Sequence, residues 1–268
     1  MTISPEMQPA RTLLLFDGYN IVRRVYGAVP GDDSPEKVEG AFKSALSTFR
    51  RTLVEFPPTH VLATFDFGGR TFRSDIFSSY REHRKPMPEL LREAMPVFHR
   101  MLSTLGIPVV SVEGVEADDV LATVGMKWVN SNKGRVIVVS TDKDLAQLAP
   151  SGIEIRDQFE HRWLDNEWAL KKFGVPIELV GDCLALMGDV ADSIPGIPKC
   201  GVKTAAKWLI AYKDLDGVLA HKDEIGGQIG EHLRENVETA LLARKLVTLK
   251  TDVKLDLTWN QLVFPVQA

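Results

Sequence analysis

Four short aliphatic runs each end at, or just before, carboxylates, and this constrains the chain more than any other feature. The run 13–16 meets Asp17, 61–65 meets Asp66, 109–112 precedes Glu116, Asp118 and Asp119, and 136–139 precedes Asp142 and Asp144. Runs of this length, separated by long stretches of helical periodicity, predict buried parallel strands of an alternating α/β sheet. Ligands of open α/β sheets lie beyond the carboxyl ends of the strands. The pattern therefore gathers acids at one sheet edge, where mutual repulsion is costly unless cations offset it. Divalent metal is the simplest resident for such an edge.

With 268 residues, 44% hydrophobic and 25% charged, the chain reads as a soluble globular protein of one large or two unequal domains. No apolar stretch is long enough to cross a bilayer, and residues 1–11 lack the apolar segment of a signal peptide, which predicts a cytoplasmic protein without a membrane partner. Cys183 and Cys200 are too few for a disulfide framework or a cysteine zinc cluster and read as packing residues. The net charge of −4 at first argues against nucleic acid, but it hides two basic groups, Arg70, Arg73, Arg81, Arg84 and Lys85, and then Lys199, Lys203 and Lys207. Bound divalent ions would make the face toward a substrate more positive still.

Residues 11–160 alternate strand-like and helix-like segments, as a doubly wound domain does. From Asn166 onward helical patterns dominate, over 167–173, 176–187, 203–212 and 231–246, and 253–264 reads as extended. Between two strands lies the segment 67–88, in which Phe72, Phe77 and Tyr80 alternate with Arg73, Arg81 and Arg84. Aromatic rings can stack bases while guanidinium groups hold phosphates, although a solvated surface helix with a few core-facing aromatics would look the same.

Two further motifs carry acids. Glu116, Asp118 and Asp119 surround a helix start, more carboxylates than capping requires. Asp189 and Asp192, three apart, precede a glycine-containing turn through Gly196 and Gly201 into Lys203, Thr204 and an apolar helix. Such a turn presents backbone N–H groups and a helix N-terminus to phosphate.

The ordered set Phe16-Asp17-Gly18, Phe65-Asp66, Tyr80-Arg81-Glu82-His83-Arg84, Glu116-Ala117-Asp118-Asp119, Ser140-Thr141-Asp142-Lys143-Asp144 and Gly188 to Thr204 resembles the 5′-nuclease (flap endonuclease) family over residues 11–255. That family includes the 5′-nuclease domain of bacterial DNA polymerase I. Residues 20–24, ending at Arg24, and 155–165 look most like its stand-alone bacterial exonuclease IX branch. The resemblance implies a PIN-like (Rossmann-like) α/β domain over 1–175, mainly parallel with helices on both faces and a helical arch at about 68–95. A helix-three-turn-helix region for duplex DNA is implied over 176–268.

By matching position, the resemblance implies a first ion at Asp17, Asp66, Glu116 and Asp118, with Asp119 close by, and a second at Asp142, Asp144, Asp189 and Asp192. Both ions would be Mg²⁺ or Mn²⁺. It places Tyr80, Arg81 and Arg84 at the scissile nucleotide, with Tyr80 stacking a base, and Arg24, Arg73, Lys85, Gly196, Gly201, Lys203 and Thr204 along the DNA. K⁺ is implied at the hairpin near 194–203. Arg81 stands where many relatives have lysine, and Lys199 where many have glycine. The activity implied is metal-dependent hydrolysis of branched or duplex DNA at a 5′ end or 5′ flap, by a monomer. A DNA-branch binding module without cleavage and a PIN-type ribonuclease are the competing expectations.

Overall fold

A computed structural model describes residues 11–265. All but Arg11 of the segment read for a leader lies outside the described residues, as do the last three residues of the second region. Strands β1 (Thr12–Asp17), β2 (His60–Thr64), β3 (Val109–Val110), β4 (Arg135–Val139), β5 (Ile153–Asp157) and β6 (Arg162–Trp163) form one sheet in the order β3-β2-β1-β4-β5-β6. Every pairing is parallel except β5 with β6. The expected mainly parallel α/β class is therefore present.

The aliphatic runs lack polar alternation because both faces of the sheet are covered. Leu14, Phe16, Ile137 and Val139 face one core with α1 (Gly18–Ala28), α2 (Pro35–Glu55) and α4 (Glu89–Thr104). Leu13, Leu15, Val136 and Val138 face the other, with α5 (Ala117–Asn130) and the helices that follow the sheet. Between α2 and α4 the chain forms β2 and one short helix, α3 (Phe72–Ile76).

The chain runs outward from β1 through β2 to β3, then returns to place β4 on the other side of β1. The order reverses between β1 and β4, and that switch point is where a crevice opens at the strand ends. A 3₁₀ segment over Lys143–Ser151 follows β4, and α6 (Asn166–Phe173) follows β6.

Beyond the sheet come α7 (Val180–Met187), α8 (Val202–Tyr212), α9 (Leu215–Ala220), α10 (Gly227–Glu235) and α11 (Val237–Val247). Three expectations need correction, two helical and one extended. The segment 176–187 starts as a 3₁₀ turn before α7. The segment 231–246 is broken at Asn236, whose side-chain amide donates to the His232 carbonyl and competes with the helical backbone. The run 253–264 is no strand: a capped 3₁₀ turn occupies Trp259–Leu262 and only the bridge from His60 to Val263 is sheet-like.

Candidate active site

The switch point brings the first acids together. Asp17 ends β1 and caps α1, accepting from the Asn20 N–H at 3.1 Å, while its other oxygen accepts from Ser140 Oγ at 2.7 Å across the β1–β4 seam. Asp66, just past β2, accepts from the Ala117 N–H at 2.9 Å and so ties that strand end to the start of α5. Asp118 sits in the first turn of α5, and Asp142 caps the 3₁₀ segment through the Asp144 N–H at 3.0 Å. Asp17, Asp66, Asp118 and Asp142 line one cavity of about 270 Å³ together with Arg23, Arg24, Arg81 and Arg84.

Burial first, and like charge after it, makes ionisation of these carboxylates costly. Burial pushes Asp17 up to about 7, with the Asp142 and Asp66 charges adding to it against the Ser140 and Asn20 hydrogen bonds. Burial, then the charges of Asp17, Asp142 and Asp66, raises Asp118 well above the usual carboxylate range, with Arg81 opposing. Among the described residues Asp118 accepts no protein hydrogen bond.

The second acids are built from loops and are already compensated. Lys143 bonds Asp189 and lies 3.4 Å from Asp144. Burial alone would lower the Lys143 ammonium, but the neighbouring aspartates outweigh it and raise it. Asp144 itself is pushed up to about 7, first by burial and then by Asp142, and its Oδ1 is buried without a hydrogen bond. Asp192 lies 3.2 Å from Arg81 Nε and 3.9 Å from Arg84. The Arg81 Nε–H is not aligned to donate, so that contact is electrostatic rather than a hydrogen bond. Asp142, Asp144, Asp189 and Asp192 line a second cavity of about 380 Å³ with Arg81, Arg84, Lys85 and Lys143. The nine implied metal residues therefore do not form two equal sets.

Several implied roles meet a different environment. Asp119 is fully buried and binds the Arg73 guanidinium through two bonds of 2.7 and 2.9 Å. Arg73 also donates to the carbonyls of Leu246 and Thr248, so it is an interior clamp that no phosphate reaches, and Asp119 is its counter-ion. The Tyr80 ring is buried and its hydroxyl donates to Glu116 at 3.0 Å, which leaves no face for stacking a base. The segment 67–88 is α3 followed by turns over 78–83 and irregular chain over 84–88, rather than one surface helix.

The remaining DNA positions lie at the surface of the site or along the hairpin. Arg24 is half-exposed, paired with Glu160 at 3.3 Å over the Phe159 ring. Lys85 is exposed beside Arg84. Lys203 and Thr204 open α8, and Gly201 is its N-cap. A Cβ on Gly196 would stand 2.3 Å from the Met187 backbone, so this turn closes only with glycine there. Lys199 takes the left-handed φ of 63° that glycine favours, its ammonium donating to Gln228 at 3.1 Å.

Sequence reasoning missed Ser140, Asn20, Thr71 and the ion-pairing role of Lys143. A lysine between two aspartates was a visible signal for the last; Ser140 and Asn20 lie within the family-like segments, but nothing local marked their partners across the sheet or the role of Thr71.

No three His, Cys, Asp or Glu side chains among the described residues form a ready-made ion cage. The donor chemistry nonetheless fits a hard divalent cation that keeps several waters: several carboxylates face one cavity, two of them with raised pKa, and one lacks any protein donor.

The comparisons agree with this geometry. Residues 12–174 match the family model for the 5′-3′ exonuclease N-terminal resolvase-like domain, and residues 175–267 that for the 5′-3′ exonuclease C-terminal SAM fold. The chain is 35% identical over 254 residues to Flap endonuclease Xni of Vibrio parahaemolyticus, covering 94% of this chain and 96% of that protein. It is also 35% identical to Flap endonuclease Xni of Shewanella woodyi, covering 95% and 99%. In fold it is similar to the bacteriophage T5 5′-exonuclease with bound zinc, at a TM-score of 0.77 and 21% identity over 90% of each chain. The catalytic core of Rad2 in complex with DNA shares the fold more distantly, at 0.53 and 14% over 91% of this chain and 81% of that one. A strand-end carboxylate cavity on a resolvase-like sheet, followed by a helical hairpin and matched at this identity over nearly the whole length, makes this chain a member of the 5′-3′ exonuclease family.

Proposed function

We propose that this protein is a divalent-metal-dependent, structure-specific 5′ nuclease that hydrolyses phosphodiester bonds at 5′ flaps or 5′ ends of branched or duplex DNA. The observation that supports it is the convergence of Asp17, Asp66, Asp118 and Asp142 from four chain segments on one cavity, with Asp118 free of any protein donor. These four aspartates would hold one Mg²⁺ or Mn²⁺, with Asp144, Asp189 and Asp192 available to a second. When bound, such ions activate water and neutralise charge on the phosphoryl oxygens.

The chain's own residues then have separable tasks. Ser140 and Asn20 fix the Asp17 carboxylate, and Ala117 fixes Asp66, so these oxygens reach the cavity in set directions. Arg81 and Arg84 line the same cavity and place two guanidinium groups beside an incoming phosphodiester. The α7–α8 hairpin, with Lys203 and Thr204 at the start of α8, is suited to the duplex backbone. The left-handed conformation of Lys199 supports a K⁺ site formed by backbone carbonyls within 194–203. We take the acting species to be a monomer, which light scattering would check.

The test is cleavage of a 5′-labelled flap DNA and its RNA counterpart with Mg²⁺, Mn²⁺ or EDTA, for wild type and Asp118→Asn. Metal-dependent cutting of DNA, lost in Asp118→Asn, is expected. Binding of the flap without cutting by wild type would leave a branch-binding module, and preference for RNA would leave a ribonuclease.

A further inference from the structure

Glu116 lies among the strand-end acids, yet neither of its oxygens is free. Oε1 accepts from Thr71 Oγ1 at 2.9 Å and lies 3.4 Å from Arg73 Nη1. Oε2 accepts from the Tyr80 hydroxyl at 3.0 Å and pairs with Arg81 Nη2 at 2.8 Å. All four partners belong to the segment 67–88, and the carboxylate itself is buried. It is absent from the residues lining the cavity of Asp17, Asp66, Asp118 and Asp142.

The contrast with Asp118, two residues away on the same helix start, decides between roles. A carboxylate meant for a hydrated divalent ion needs lone pairs directed at the cavity, as Asp118 has. Glu116 instead spends its charge on two guanidiniums and two hydroxyls, and charge-assisted bonds of this kind are about twice as strong as neutral ones. We infer that Glu116 is a positioning residue that docks the arch onto the start of α5 through Thr71, Arg73, Tyr80 and Arg81, and is not a ligand of the first metal.

The consequence for chemistry passes through Arg81. Its guanidinium is pinned between Glu116 and Asp192, its backbone N–H donates to the Asp192 carbonyl at 2.8 Å, and it holds a left-handed φ of 58°. The His83 N–H adds a long contact to Ser193 Oγ at 3.5 Å, also across to the α7–α8 hairpin. Glu116 thus sets where the arch stops and where Arg81 stands over the cavity. Arg73 carries the same anchor back to the C-terminal end of α11 through the Leu246 carbonyl.

The test compares Glu116→Gln, Tyr80→Phe and Asp118→Asn in the full chain, by Mn²⁺ titration calorimetry, by the rate of tryptic cleavage after Arg81 and Arg84, and by the split between KM and kcat on a 5′-flap DNA. In Glu116→Gln we expect Mn²⁺ affinity to stay within about fivefold of wild type, the scale of a screened charge change. Arch cleavage should rise by about tenfold, as loss of one charged hydrogen bond of about 1.5 kcal/mol allows. KM should rise more than kcat falls. Tyr80→Phe should move arch cleavage in the same direction by about threefold, about half of that free energy, with Mn²⁺ binding unchanged. A Glu116→Gln protein that loses Mn²⁺ binding as Asp118→Asn does, with arch cleavage unchanged, overturns the inference. Should Glu116→Gln not fold, unchanged arch cleavage in Tyr80→Phe overturns it alone. Only the KM arm rests on the nuclease function proposed above. If wild type cut no DNA while the proteolysis and Mn²⁺ arms behaved as expected, the nuclease function would fail and the arch anchor would stand.

Discussion

The two acidic groups of the site are held in opposite electrostatic states. Asp17, Asp66, Asp118 and Asp142 project from strand ends and helix starts, and among the described residues none of them forms an ion pair. Asp144, Asp189 and Asp192 belong to the 3₁₀ segment and the hairpin, and Lys143, Arg81 and Arg84 already accompany them. Rigid strand ends can hold like charges together without a counter-ion, because the sheet fixes them whatever they repel. Loop acids have no such frame, and internal cations gather them instead. One group is ready for an ion; the other must exchange a lysine or an arginine for one.

The sharpest way to break this contrast is to remove charge from each group in turn. Asp118→Asn should lower the flap-cleavage rate by about a thousandfold or more, as expected when a ligand of a catalytic ion is lost. A rate within tenfold of wild type would mean that the first group is not the reacting one.

Arg73→Ala should have the next largest effect, on stability rather than chemistry. It leaves the buried Asp119 charge without its counter-ion and with only the Lys250 N–H to bond it, a loss of about 3–5 kcal/mol. Thermal unfolding should register it as a drop of about 10 °C for a chain of this size. A smaller shift than about 3 °C would show that Arg73 is not the interior clamp described here.

Lys143→Ala sharpens the contrast from the other side. Without the ammonium, Asp144 and Asp189 lose their internal cation, at about 1–3 kcal/mol in metal-free protein. The rise in Tm on adding Mg²⁺ should then exceed that of wild type, whereas in Asp17→Asn it should fall short. Equal Mg²⁺ responses in all three proteins would contradict the assignment.

The smallest effect concerns pH. Asp17 and Asp144 have folded-state values near 7, above the ordinary 3.8, so each favours the folded state most fully below about 3.8 and loses that contribution as pH rises through 7. In EDTA, the Tm of wild type should therefore fall from pH 5 to pH 8 more steeply than that of Asp17→Asn. Parallel curves would show that burial does not perturb Asp17.

Legibility in the sequence followed the same division. The aliphatic runs placed β1, β2 and β4 within a residue of their ends, because a strand covered on both faces must be apolar throughout. The acids at those ends were legible with them. Arg73 and Tyr80 were misread because a basic and aromatic segment looks alike whether it grips a phosphate or an interior carboxylate. The deciding partner of Arg73 is Asp119, 46 residues away, and no local spacing records it. Ser140 was missed for the same reason, since it meets Asp17 only where β1 and β4 lie side by side; Asn20 caps locally through its N–H, but its side-chain oxygen accepts from Thr141 only across that seam.

Anomalous diffraction from crystals of the protein soaked in Mn²⁺ would locate the ion itself. A manganese peak is expected in the cavity of Asp17, Asp66, Asp118 and Asp142, with Glu116 still bonded to Thr71 and Tyr80. Manganese seen only at Asp144, Asp189 and Asp192, or nowhere near the strand ends, would contradict this placement.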